Sequence, residues 1–274
     1  MAEIVSAAAT SHILMSAAGA EEPASRVFEG MLRVGRHVRA SRPDVIVLIS
    51  NDHMFNVGPG VTAPFLVGTA PAFVPFGEMD IPRDEYRGHP GFAAGLVRRG
   101  AERGLRIERL ETLHPDHGTA VPLLFVNPDR DAAVVPLLVN HAREHGVQGA
   151  ECWALGELLG EYVAALQPAS TRVAIVGTGG LSHRVGCEGP AIEERFDRDF
   201  LAAFECGDLA RWRDAGADEI ERVAGNGGVE ILNWLIVAAA VPQARAEIVY
   251  YEPMPSWLTG MGGAVLRLPQ HGAA

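Results

Sequence analysis

The stretch Asp44–His53, DVIVLISNDH, decides how the rest of the chain can fold. Its five consecutive aliphatic residues predict a short strand that is buried on both faces, as the central strands of parallel sheets are. Polar residues follow this strand at once and end in a histidine. In open α/β sheets, ligands bind beyond the carboxyl ends of such strands. The segment therefore predicts both a central strand and the edge of a ligand site.

Two other predicted strands end in the same way. Val5–Ala9 runs into Thr10-Ser11-His12, and Arg172–Val176 runs into the glycine-rich turn GTGGLSH, which ends at His183. Because the carboxyl ends of parallel strands meet at one edge of a sheet, the three histidines are expected to share one polar pocket.

Helical periodicity between these strands indicates an α/β protein. Ala24–Ala40 carries its apolar residues on one face and predicts the crossover helix of a βαβ unit. Val61–Val67 is a further candidate strand, which Pro64 makes an edge strand or an irregular segment. The other predicted helices are Pro90–Arg103, Cys152–Leu166, Ala191–Phe204, Leu209–Val223 and Val229–Ala240, and the other predicted strands are Leu105–Leu110, Ala132–Val139, Ala246–Tyr251 and Ala264–Leu268. We expect a single α/β domain over residues 1–274, with a central mixed β-sheet flanked by helices.

The composition excludes several classes of partner. Of the 274 residues, 48% are hydrophobic and 21% are charged, as in ordinary globular proteins, and no apolar run is long enough to span a bilayer. A net charge of −11 argues against binding to nucleic acid or to anionic membranes. The first residues lack the basic region of a signal peptide, and Cys152, Cys187 and Cys206 lack the spacing of a metal site. Reduced thiols in a cytoplasmic protein are therefore expected.

Five polar residues stand out as candidates for chemistry. Each of four histidines follows an apolar strand within a polar turn, and these are His12, His53, His117 and His183. Glu230 opens an apolar helix, where a buried acid must be paired, bind a cation or cap the helix N-terminus. Two imidazoles and one carboxylate form the ligand triad of non-haem Fe(II) oxygenases, and the same set can hold a catalytic zinc. Surface or core positions are expected for His37, His89, His141, His145 and His271.

Several short motifs occur together in an order that resembles the class III extradiol ring-cleaving dioxygenases, the family of the catalytic β subunit of protocatechuate 4,5-dioxygenase. The motifs span nearly the whole chain, and they are Ser11-His12, Asn51-Asp52-His53, Asp116-His117-Gly118, GTGGLSH ending at His183, Gly228-Val229-Glu230, YYEPMP from Tyr250 and GMGG from Gly260. The resemblance implies an enzyme that uses O₂ and Fe(II) to open a catechol-type aromatic ring beside its diol.

The resemblance also implies a role for each matching residue. His12, His53 and Glu230 would be the iron ligands. His183 would be the catalytic acid/base, and His117 a second catalytic histidine near the substrate hydroxyls. Supporting or substrate-binding positions would be Asn51, Asp52, Ser11 and Ser182.

The chain has no equivalent of the small α subunit that covers the site in protocatechuate 4,5-dioxygenase. The Thr69–Gly88 loop, which is rich in Pro, Gly and acids, could cover the pocket or could be a plain surface loop. A neighbouring protomer of a homo-oligomer or a separate small lid subunit could also serve. Two other functions fit the same residues: a metal-dependent hydrolase on the same ligand set and a non-catalytic protein-binding module of the same fold.

Overall fold

A computed structural model describes residues 2–53, 55–58, 60–166, 168–186 and 188–269. Cys187 and His271 lie outside these ranges, and so do the predictions made for them. The strands are β1 (Glu3–Thr10), β2 (Val45–Asn51), β3 (Phe65–Gly68), β4 (Ala72–Phe73), β5 (Tyr86–Arg87), β6 (Ile107–Leu110), β7 (Ala133–Val139), β8 (Arg172–Thr178), β9 (Arg245–Met254) and β10 (Thr259–Arg267). The helices are α1 (Glu21–Ala40), α2 (Pro90–Glu102), α3 (His117–Val126), α4 (Gly149–Ala164), α5 (Glu194–Cys206), α6 (Ala210–Asp214), α7 (Ala217–Ala224) and α8 (Ile231–Ala240).

Eight strands form one mixed sheet in the order β6-β3-β7-β2-β8-β1-β10-β9, and β4 pairs with β5 separately. The four central strands, β7, β2, β8 and β1, run parallel, whereas β10 and β9 add antiparallel pairs at one side. Every residue of β2 is buried, as its continuous aliphatic run requires. The predicted α/β fold with a central mixed sheet flanked by helices is confirmed, whereas the extent of one domain over residues 1–274 stays a prediction.

Helices cover both faces of the sheet. On one face, α1 and α3 pack on the side chains of Ile46 and Leu48. On the other face, α2, α4, α5 and α8 pack on Val45, Val47 and Ile49. Because neighbouring side chains of one strand point to opposite faces, this single apolar run supplies both cores.

Two sequence predictions are wrong in detail, and one helix was missed. Val61–Val67 is not an edge strand, because β3 starts at Phe65, just after Pro64, and lies between β6 and β7. The predicted helix Leu209–Val223 is two helices that are interrupted at residues 215–216. Helix α3 was not predicted at all, since Pro122 lies within it.

Pro122 is tolerated because a side chain replaces the helical bond that it cannot make. A proline lacks the N–H that would donate to the carbonyl four residues earlier. In α3 that carbonyl belongs to Gly118, and it accepts a 2.7 Å hydrogen bond from Thr178 Oγ1 at the end of β8. This bond ties the start of α3 to the carboxyl end of the central sheet.

Two further predictions concern cysteines and membranes. Cys152 and Cys206 are free thiols, the first buried and the second exposed. Every helix within the described ranges is too short or too polar to cross a lipid bilayer.

Candidate metal centre

A buried carboxylate lies between two imidazoles at the carboxyl ends of the central strands. His12 follows β1, His53 follows β2, and Glu230 ends the short 3₁₀ turn before α8. Glu230 Oε2 is 3.6 Å from His12 Nε2, and Glu230 Oε1 is 3.2 Å from His53 Nε2. The structure therefore brings together three residues that are separated by more than two hundred positions in sequence.

A third imidazole, that of His117 in the first turn of α3, lies against the other two. One ring nitrogen from each of His12, His53 and His117 lies within 4.8 Å of the others, so these atoms could hold a metal ion. The ring centroids of His53 and His117 are 4.1 Å apart. Three imidazoles and one carboxylate thus face one small volume, and more than one subset of them could act as ligands.

Burial and neighbouring charges perturb the pKa values of these groups in opposite directions. Burial lowers the pKa of His12 to about 3, so this imidazole is neutral, the form that binds metals. Burial also lowers the pKa of His53, but hydrogen bonds to Asp116 and Glu230 outweigh it and raise the pKa to about 10. Burial raises the pKa of Glu230, but the protonated imidazole of His53, which donates a hydrogen bond to Glu230, outweighs this effect and keeps the acid ionised.

The site fits a cation because its negative charge is otherwise balanced only by imidazoles. Glu230 is 3% exposed, and an isolated buried carboxylate is costly. His12 Nδ1 is also buried and has no hydrogen-bond partner within the described ranges. A divalent cation among these nitrogen and oxygen donors would satisfy the carboxylate and replace the proton that His53 otherwise keeps.

Asp116 fixes the orientation of His53. Its Oδ2 accepts hydrogen bonds from the His53 backbone N–H at 2.8 Å and from His53 Nδ1 at 3.1 Å. Its Oδ1 accepts the Gly118 N–H and caps α3. Gly118 must lack a side chain, since a Cβ there would lie 2.7 Å from His53 Cε1. Carboxylates that hold a metal-ligating histidine in this way fix its tautomer and orientation.

Asn51 supports Glu230, whereas Asp52 has another role. Asn51 Nδ2 donates to Glu230 Oε1 at 3.4 Å, and Asn51 Oδ1 accepts a 2.7 Å bond from Asn233. Asp52 was predicted to orient the ligands, but its carboxylate accepts the backbone N–H groups of Asn56 and Val57. It therefore shapes its own loop, and Asp116 holds the position next to the imidazole.

His183 lies at the far side of the carboxylate. Its Nε2 is 4.0 Å from Glu230 Oε2, and its Nδ1 is 3.0 Å from the Leu181 carbonyl oxygen. The ring packs directly on the backbone of residue 227, where a Cβ would lie 1.7 Å from His183 Nε2. Glycine is thus required at that position for His183 to reach the site.

Ser11 and Ser182 hold the glycine-rich turn from outside the pocket. Ser11 Oγ donates to the Gly180 carbonyl and accepts the Gly262 N–H. Ser182 donates both its N–H and its hydroxyl to the carboxylate of Asp197, which is fully buried. Burial raises the pKa of Asp197 to about 6. Both serine hydroxyls form hydrogen bonds within the protein.

Four residues near the site were missed or assigned elsewhere by sequence reasoning. Asn233 carried a usable signal, because it lies three positions after Glu230 on one face of a helix. Glu78, in the Thr69–Gly88 loop, accepts a hydrogen bond from His117 at 3.2 Å. Neither Glu78 nor Asp197 directly follows a strand, so the pattern that predicted the histidines did not indicate them. His141, predicted to be an ordinary surface or core histidine, follows β7, and both of its ring nitrogens are buried without a partner in the described ranges.

Comparison with known proteins decides the family. Residues 6–262 match the family model described as the catalytic LigB subunit of aromatic ring-opening dioxygenase. The chain belongs to this family. The enzyme is therefore an extradiol ring-cleaving dioxygenase of catechol-type substrates, as the motifs predicted, and its family implies a metal cofactor.

Relatives and a solved structure agree with this assignment. The 2,3-dihydroxyphenylpropionate/2,3-dihydroxicinnamic acid 1,2-dioxygenase of Azotobacter vinelandii is 26% identical over 285 residues, which cover 85% of this chain and 88% of the relative. The Escherichia coli enzyme of the same name is 25% identical, with 91% and 95% covered. The crystal structure of an uncharacterized Escherichia coli K12 protein superposes with a TM-score of 0.60 at 18% identity, covering 95% of this chain and 99% of that one, and so shares the fold.

Proposed function

We propose that this dioxygenase is Fe(II)-dependent and that His12, His53 and Glu230 are its metal ligands. One observation carries the proposal: the Glu230 carboxylate lies within 3.6 Å of both imidazoles at the carboxyl ends of the central strands. Two histidines and one carboxylate are the ligand set of non-haem Fe(II) oxygenases.

Two features favour Glu230 over His117 as the third ligand. Glu230 lies between the two histidines and is fixed by a 2.7 Å hydrogen bond from the Gly180 N–H. His117 is then left, with His183, on the substrate side of the site.

The proposed chemistry divides between the metal and the histidines. Fe(II), when bound, would hold the two substrate oxygens and O₂ together so that both oxygen atoms enter the ring. His183 would accept a proton from a substrate hydroxyl and return it as the ring opens. Its Nδ1 bonds to the Leu181 carbonyl, so Nδ1 carries the proton in the neutral ring and Nε2 is free to accept one. His117 would contact the hydroxyls from the opposite side.

We also propose that the Thr69–Gly88 loop covers the substrate. Phe76 donates its N–H to the Pro115 carbonyl, and its ring lies 4.4 Å from that of Phe55, two residues after His53. Val74 O is 3.1 Å from His114 Nδ1. These contacts hold the loop against the segments that carry His53 and His117. Phe55 and Phe76 stay 41% and 45% exposed, so they offer an apolar surface to an aromatic ring.

Anaerobic reconstitution tests the proposal. The purified protein is loaded separately with Fe(II), Zn(II) and Mn(II), and oxygen uptake and visible absorbance are recorded with a panel of catechols. The panel includes 2,3-dihydroxyphenylpropionate, because two relatives are named for it. We expect oxygen uptake and a new product absorbance with Fe(II). Ester or amide hydrolysis by the Zn(II) protein without oxygen uptake would instead support the metal-dependent hydrolase, and no turnover with any metal would support the binding module.

Three finer expectations stay predictions: a cytoplasmic location, a homo-oligomeric state, and a small separate lid subunit. Since the Thr69–Gly88 loop already lies over His117, we propose that the isolated chain is active without such a subunit. Activity of the purified single chain tests that point.

A further inference from the structure

Glu78 reaches the site from the Thr69–Gly88 loop and bonds to both the backbone and the imidazole of His117. Its Oε1 accepts a hydrogen bond from the backbone N–H of His117 and lies 3.2 Å from His117 Nδ1. The other oxygen, Oε2, is buried and has no partner in the described part of the chain. An acid from an irregular loop therefore lies behind a histidine of the metal centre.

The backbone around Glu78 is strained in a way that directs this side chain inward. Gly77 has φ +91°, and Met79 and Asp80, which are not glycines, have φ +55° and +58°. Residues other than glycine rarely adopt such values, and strained residues of this kind cluster at functional sites. Met79 is 46% exposed, so burial of its own side chain does not hold the turn in place. The two bonds from Glu78 to His117, together with the Phe76 N–H bond to the Pro115 carbonyl, hold it against the site.

We propose that Glu78 is the positioning residue for His117 and couples closure of the Thr69–Gly88 loop to assembly of the reactive site. The inference rests on the proposed roles of His117 and of this loop. With Nδ1–H donating to Glu78, the neutral ring of His117 has no proton on Nε2, so Nε2 is free to accept a hydrogen bond or a proton from a substrate hydroxyl. A carboxylate that holds an imidazole in one tautomer has the same effect in hydrolytic triads.

This arrangement distinguishes His117 from His183. The Nδ1 partner of His183 is a backbone carbonyl from the same turn, and that bond forms whenever the turn is folded. The Nδ1 partner of His117 belongs to a loop, and that bond forms only when the loop lies over the site. His117 would therefore be oriented only in the covered site, which limits the reaction to substrate that is shielded from water.

The tautomer of His117 gives a test that does not depend on turnover. In the metal-free protein, imidazole ¹⁵N NMR should show the Nδ1–H form of His117, with its signals assigned by their loss in His117→Ala. Glu78→Ala should shift His117 toward the Nε2–H form, whereas Glu78→Gln, whose amide oxygen can still accept the Nδ1–H, should keep the wild-type tautomer. Glu85→Ala, at an exposed acid of the same loop, is the matched control and should change nothing.

Kinetics of the Fe(II)-loaded protein complete the test. Carboxylates that orient a histidine of a metal site typically contribute about 10–100-fold to activity. Glu78→Ala should therefore lower kcat by that factor with little change in anaerobic catechol affinity. Glu78→Gln should keep most of the wild-type kcat. The same substitution should have no further effect in a His117→Ala background. A wild-type tautomer in Glu78→Ala would overturn the proposal, and so would an equal loss of kcat with and without His117. If the wild-type protein cleaves no catechol, the proposed function is refuted. The proposal for Glu78 is still tested by the NMR measurement, which does not depend on turnover.

Discussion

The two sides of the metal centre are built differently. Four residues, here called the strand-held group, follow buried strands or lie in the glycine-rich turn and the 3₁₀ turn before α8. They are His12, His53, His183 and Glu230. His117 and Glu78, the loop-held pair, depend on a bond between the start of α3 and an irregular loop. The proposed metal ligands are thus held by regular elements and the turns that pack on them, whereas the orientation of His117 also depends on its contacts with the Thr69–Gly88 loop.

The largest effect should follow from removing the central carboxylate. Glu230→Ala should abolish retention of iron while leaving the fold intact, because it takes the only acid between His12 and His53 in the described structure. Mass spectrometry measures the iron content, and far-UV circular dichroism checks that the fold is intact. Glu219→Ala, at an exposed acid of α7, is the control. Full iron occupancy in Glu230→Ala would show that the three imidazoles alone hold the metal.

Removing His183 should separate binding from chemistry. A positioned general acid/base contributes about 10²–10⁴-fold to rate, so His183→Ala should slow turnover by that order. Iron content and anaerobic catechol binding should stay close to wild type, because His183 is not one of the three proposed ligands and its Nε2 lies 4.0 Å from Glu230 Oε2. Loss of iron in proportion to activity would make His183 a ligand. A wild-type rate would leave His117 as the catalytic base.

A smaller effect, on stability, is expected beneath the glycine-rich turn. Burial raises the pKa of Asp197 from 3.8 to about 6. Between these two pH values the folded protein therefore keeps a proton that the unfolded chain has already released. Asp197 therefore stabilises the folded protein at low pH. This contribution to the free energy of unfolding, on the order of 2–3 kcal/mol, is lost as the pH rises from about 4 to 6. Asp197→Asn cannot titrate and should lose less stability over that window.

Urea unfolding of both proteins at pH 4.5 and pH 7, with equal metal content, measures this difference. Equal pH dependence in the two proteins would show that Asp197 is ionised throughout. The comparison also tests how firmly the strand-held group is supported, since Asp197 bonds both polar groups of Ser182, the residue before His183.

The smallest effect should come from the outer part of the loop. Phe76→Ala removes the ring that lies 4.4 Å from Phe55 but leaves the Glu78 bonds in place. We expect KM for catechols to rise by a few-fold to about tenfold, the range for a partly exposed apolar contact, with kcat nearly unchanged. Phe28→Ala, at an exposed aromatic of α1, is the matched control. A fall in kcat without a change in KM would show that Phe76 acts on the loop's closure and not on substrate binding.

The strand-held group could be predicted from the sequence because each of its members follows a strand or stands at the start of a helix. The apolar run of β2 fixes the direction of His53, and the turn GTGGLSH marks the end of β8 before His183. His117 was predicted as well, but its bond to Glu78 could not be, since that bond depends on three positive φ angles that no periodicity encodes. Asp52 and Asp116 show the same limit: both acids flank a histidine, and only the fold shows that Asp116 turns toward the imidazole of His53.

The position of β1 has a consequence for the order of events during synthesis. This strand is made before β2 to β10, yet its neighbours in the sheet are β8, which begins at Arg172, and β10, which begins at Thr259. Until β10 has left the ribosome, the segment that carries His12 has only part of its final surroundings. The nascent protein therefore cannot complete its metal centre early, and metal loading should follow the release of the last strand and mark a fully folded chain.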